Sequence, residues 1–193
     1  MTPLQRRAAR TLGLILALVF IVPDVLHPLQ SHPLDLVNLI FHEAGHILLM
    51  WAGETVMLLG GSLFQLLIPA ACITAFLLRG DRYGAGIVTL WLGQSFAGVS
   101  AYIRDAPTRN MDLITGDPDT HDWWQLLGGW DALNLAAPSG RMVFFLALAS
   151  VIVGSALALW EAFCKSLPES IRKPPPRGRG WGEGSLLSHS DSD

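Results

Sequence analysis

Two histidines and a glutamate stand together in Phe41-His42-Glu43-Ala44-Gly45-His46. The spacing is that of an H-E-x-x-H motif. On a helix, imidazoles at i and i+4 leave from one face, one turn apart, and can clamp a zinc ion. The glutamate after the first histidine then sits beside the metal, where it can act as general base towards an activated water. With 6 His in 193 residues, chance would place this pattern somewhere in the chain roughly 0.5% of the time, which makes accident a poor explanation.

The neighbours argue the same way. Val37, Leu39, Ile40, Phe41, Ile47, Leu48, Leu49 and Met50 are apolar, so the motif does not lie on an ordinary solvated face. Polar groups in such a run need partners. A metal satisfies three of them at once more simply than separate pairings in a core.

Composition sets the class. The chain is 51% hydrophobic and 15% charged, with a mean hydropathy of +0.40. Soluble domains carry about 25% charged residues, so a membrane protein is expected. A net charge of -3 gives no reason to expect nucleic acid as a partner. The two cysteines, Cys72 and Cys164, lie far apart in or beside apolar segments and read as inert buried thiols.

The elements that must hold the motif follow from hydrophobic runs and their breaks. Arg6, Arg7 and Arg10 precede an apolar stretch at 11–22 with no small-x-small cleavage site, so 11–27 reads as an uncleaved first membrane helix ending at prolines. Residues 34–52, opened by Pro33, form a second span with the motif near mid-depth. Gly53 ends it. Residues 54–61, closing in Gly60-Gly61, read as a short extended or re-entrant segment. A third span, 62–78, carries Gln65 and Pro69. A fourth, 84–103, is rich in small residues suited to close packing and carries Gln94.

A polar connection, 104–120, leads to a short helix headed by His121-Asp122-Trp123-Trp124, with Asp119 or Thr120 as its cap and its tryptophans at a membrane interface. A fifth span covers 142–160. The Pro-, Gly- and Ser-rich residues 166–193 read as a disordered tail. The expected architecture is an all-α membrane protein. It has about five transmembrane helices in one domain, 1–165, with the re-entrant or extended segment after the H-E-x-x-H helix. Five crossings leave the two ends on opposite sides, although both ends are basic, which conflicts with the positive-inside rule.

Catalytic zinc usually takes three protein ligands and keeps one position for water. His42 and His46 supply two. From Pro33 the helical rise to His42 is ~13 Å, which places His27 and His32 too far away, and His189 lies in the tail. His121 is the favoured third ligand, with Asp122 and Asp105 as alternates. Asn38, one turn before His42, and Gln65 are candidate substrate or oxyanion contacts.

These features resemble the site-2 protease family of intramembrane zinc metalloproteases. The resemblance rests on His42-Glu43-Ala44-Gly45-His46 within a membrane helix, the glycine-bearing segment through Gly60-Gly61, and several short spans, over about residues 34–125. It implies that His42 and His46 bind one Zn2+ per chain and that Glu43 is the catalytic base. The family's third ligand is an aspartate on a later helix, and His121-Asp122-Trp123 is the nearest counterpart. The function expected is hydrolysis of a peptide bond in a membrane-protein or peptide substrate, at or within the bilayer. The location expected is an integral, multi-pass one in a bacterial inner or plasma membrane. The alternative is a non-proteolytic metal-binding scaffold or sensor that retains the motif. A transporter would repeat its polar residues across two halves, and no such repeat is present.

Overall fold

The computed structural model describes residues 1–164, and the tail expected at 166–193 lies outside them. The described chain is helical throughout, with no strands. Its long elements are α1 (Pro3–Leu26), α2 (Pro33–Leu49), α3 (Glu54–Leu78), α4 (Arg82–Asp105), α5 (Asp122–Gly129) and α6 (Ala136–Cys164).

Local chemistry sets the ends. The Thr2 hydroxyl accepts from the Gln5 amide, and the Gln5 side chain accepts from the Thr2 amide, so α1 starts well before residue 11. It also runs through Pro23 to Leu26. A proline so near the end removes only one helical donor, and the His27 amide closes the turn on Pro23 O at 2.9 Å. His32 then caps α2. Its Nδ1 accepts from the Leu34 amide at 3.3 Å, and the Asp35 carboxylate accepts from the His32 amide at 2.7 Å.

The segment after the motif helix departs from expectation. Residues 54–61 are neither extended nor re-entrant; they are the first two turns of α3. Gly53, at φ 94°, lets the chain reverse and restart a helix at once. Gly60-Gly61 serves a different purpose from a strand end. It is where α3 crosses α2 backbone to backbone. A Cβ on Gly45 would lie 2.1 Å from Gly60 O, and one on Gly60 would lie 2.7 Å from Gly45 O. A Cβ on Gly61 would lie 2.5 Å from His42 Nε2. Small residues at a crossing bring helix axes close, and here they make room for an imidazole.

Gly45→Ala is therefore expected to force α2 and α3 apart. Overpacking costs about 1–3 kcal/mol, and a clash with rigid backbone belongs at the upper end. Thermal unfolding of the purified protein reads this as a lowered Tm, and an unchanged Tm would contradict the crossing.

Four helical segments are long and apolar enough to cross a membrane: Pro3–Leu26, Glu54–Leu78, Arg82–Asp105 and Leu133–Phe163. The second of the five expected spans becomes α2, which has 17 residues and is not among the four. Helix α4 is central and packs on α1, α3 and α6, while α2 packs on α3. The α4–α6 seam is built of small residues, as their sequence suggests. A Cβ on Gly86 would meet Gly154 O and Ala158 N, both at 2.8 Å. Outward-facing Leu12, Leu16 and Val19 on α1, and Ile152 and Val153 on α6, are exposed. Apolar surface on that scale marks contact with lipid or with another apolar surface.

Candidate metal centre

Helix α2 carries His42 and His46 one turn apart, with ring centroids 4.9 Å from each other. Each ring is held from behind. His46 Nδ1 lies 2.9 Å from Met57 O on α3, and His42 Nδ1 lies 3.4 Å from Gln65 Oε1. The Gln65 amide nitrogen donates to Ser95 O at 3.4 Å, which fixes which end of the amide faces His42. Carbonyl oxygens only accept, so both Nδ1 atoms carry protons and both Nε2 atoms present lone pairs.

Those two Nε2 atoms converge on one carboxylate oxygen. Asp122 Oδ2 lies 2.9 Å from His42 Nε2 and 3.3 Å from His46 Nε2. The three ligand atoms all lie within 4.8 Å of one another. Tetrahedral zinc with bonds of about 2.0–2.1 Å spaces its ligand atoms about 3.3 Å apart. Three acceptors at such separations repel one another unless a cation lies among them. Two neutral imidazoles and a carboxylate are also a common donor set for a divalent metal. The residues present therefore fit a metal ion.

The structure brings Asp122, and not His121, to the two histidines, because of a helix cap. His121 ends the 3₁₀ turn Pro118–Thr120 and caps α5, its Nδ1 accepting from the Trp124 amide at 3.2 Å. The expected caps, Asp119 and Thr120, lie two residues and one residue too early. Its other nitrogen, Nε2, faces Asp105 Oδ2 at 3.5 Å, and the ring is fully buried. Burial pushes the His121 imidazole below its usual range, against the opposing pull of Asp105 and Asp122. With both nitrogens turned away, His121 places its neighbour. Asp122, the first residue of α5, points back at α2.

Asp105, the other alternate, accepts from Thr108 Oγ1 at 2.7 Å and from the Asn110 and Met111 amides at 3.0 and 2.9 Å. It shapes the loop leading to α5. Asn38 turns towards α4. Its Nδ2 donates to Gln94 Oε1 at 2.6 Å, and its Oδ1 accepts from Trp91 Nε1 at 2.8 Å. Gln94 passes the chain on to Asp35 Oδ1 at 2.9 Å. Asn38 and Gln65, the candidate substrate or oxyanion contacts, have these structural partners and also line the cavity at the site. Glu43, His42, His46 and Asp122 all line one cavity of about 860 Å³.

Tyr102 had no signal in the sequence, since a tyrosine near the end of a span reads as an interface anchor. Its hydroxyl accepts from the Asp122 amide at 3.0 Å and donates to Asp122 Oδ2 at 3.3 Å. Its ring stacks on His121, with centroids 4.1 Å apart. On the other side, Trp123 Nε1 donates to Ser62 Oγ on α3 at 3.0 Å, so α5 is held from both neighbours. Tyr102→Phe keeps the stacking and loses the hydroxyl. Partners of metal ligands are commonly worth 10–100-fold in affinity. A loss of about tenfold is expected in competition with a zinc-binding dye, and wild-type affinity would remove Tyr102 from the site.

Comparisons with known proteins find no matching family model, no matching curated protein and no matching solved structure.

Proposed function

We propose that this chain is a multi-pass membrane protein and a zinc metalloprotease of the site-2 type, acting on peptide bonds at or within the bilayer. The observation that carries the reading is the convergence of His42 Nε2, His46 Nε2 and Asp122 Oδ2 beside Glu43 in one cavity. Four apolar helices with exposed outer faces support the membrane location.

A zinc ion held by the three ligands supplies Lewis-acid activation of water and of the scissile carbonyl. The chain does the rest. Met57 O and Gln65 Oε1 fix the imidazole tautomers at Nδ1. The Tyr102 hydroxyl and the His121 cap fix the Asp122 carboxylate. Glu43 takes the proton from the attacking water onto its carboxylate and passes it to the leaving amine. The cavity holds the substrate segment against these groups.

The deciding experiment measures metal content and cleavage of fluorescently labelled casein by the purified wild type and Glu43→Gln. Zinc near one per chain with chelator-sensitive cleavage is the expected result. Metal without cleavage in the wild type would favour a metal-binding scaffold instead.

A further inference from the structure

Contacts along α4 give α1, α2, α3 and α6 a direction. At its N-terminal end, the Tyr83 hydroxyl donates to Arg10 O on α1 at 2.7 Å. There too, Arg10 reaches Glu161 O on α6 at 3.3 Å, and Arg7 lies over the Phe163 ring at 4.8 Å. A Cβ on Gly84 would lie 2.8 Å from Phe76, near the end of α3. The start of α1, the α3–α4 turn and the end of α6 therefore share one end of the bundle.

Halfway along α4, Gln94 neighbours Asp24 of α1 and bonds Asp35 and Asn38 of α2. Further on, Tyr102 meets the His42 ring with centroids 5.7 Å apart. Contacts move from Arg10 to Asp24 on α1, then from Asn38 to His42 on α2, as α4 runs from residue 83 to 102. Helices α1 and α2 thus point the same way as α4. They are two pieces of one passage, broken at residues 27–32, and not two opposed crossings. With α3 returning, α4 going forward and α6 returning, the described chain makes four passages and ends where it began.

Four passages remove the charge conflict that five created. Among the described residues, Arg6, Arg7, Arg10, Arg79 and Arg82 lie at the shared end. Of the eight Lys and Arg among the described residues, only Arg104, Arg109 and Arg141 belong to the opposite end. Basic residues near span ends stay on the cytoplasmic side. The cavity holding Glu43 and Asp122 is walled at the opposite end by Thr108, Asn110 and Thr115 of the α4–α5 loop. None of its lining residues comes from the basic end.

We infer that the metal centre opens to the extracytoplasmic side, and that its substrate is a polypeptide segment presented from that side, in a secreted chain or the external part of a membrane protein. The substrate class rests on the metalloprotease reading, whereas the orientation does not. Two single-cysteine proteins test it, Ala8→Cys and Asp112→Cys, both in a Cys72→Ala, Cys164→Ala background. Both positions are exposed. A membrane-impermeant maleimide on intact cells is expected to label Asp112→Cys at least tenfold more than Ala8→Cys, with both labelled after permeabilisation. Labelling of Ala8→Cys in intact cells, or of neither protein, overturns the inference. If either variant fails to accumulate, the wild type supplies a second reading. An impermeant chelator added to intact cells should strip its metal, and metal lost only after lysis overturns the orientation. A protein that holds no metal would sink the metalloprotease reading while leaving the labelling pattern valid.

Discussion

Glu43→Gln is expected to keep its metal and to lose casein cleavage by roughly 10²–10⁴-fold, the usual contribution of a general acid–base group. The amide has nearly the size of the carboxylate but cannot accept the proton. The substitution leaves His42, His46 and Asp122 untouched. Their supports are Met57 O, Gln65 Oε1 and the Tyr102 hydroxyl, none of which involves residue 43. Retained metal is therefore the control that separates a lost base from a lost site. Cleavage at the wild-type rate by the metal-loaded variant would remove Glu43 from the mechanism.

Asp122→Ala and His121→Asn should behave in opposite ways. Asp122→Ala takes away the only carboxylate oxygen that faces both imidazoles among the described residues. Metal affinity is expected to fall by more than about 100-fold, since even an outer partner of a ligand is worth 10–100-fold. His121→Asn preserves a good N-cap and is expected to keep the metal within severalfold of wild type. Zinc titration against a chelating dye reads both. The reverse result, metal lost with His121→Asn and kept with Asp122→Ala, would make His121 the ligand and contradict the cap.

How far the sequence reached is clearest where the structure departed from it. The motif's own geometry was legible because it is local: on any helix, positions 42 and 46 share a face. The helical class and the apolar spans were legible because they depend on hydrophobic runs. Gly60-Gly61 was misread because a glycine pair has two uses, ending a strand or admitting another backbone. Only Gly45, 15 residues earlier on a different helix, selects the second. The span count suffered from a similar ambiguity. Residues 33–49 are apolar enough to suggest a crossing of their own, and nothing local says that they continue in the direction of α1.

The metal centre shows the same division within two adjacent residues. By itself the sequence placed two imidazoles and a carboxylate together on one helix, and a zinc reading of them asks for a third ligand from far along the chain. It also narrowed that ligand to His121, Asp122 or Asp105. Only the tertiary structure decided among them. The Trp124 amide donates to His121 Nδ1 and Asp105 faces its Nε2, while Tyr102 takes hold of Asp122. The physical reason is that a cap and a ligand compete for the same imidazole lone pairs. The outcome depends on which partners from other helices stand nearby, and spacing along the chain does not encode them.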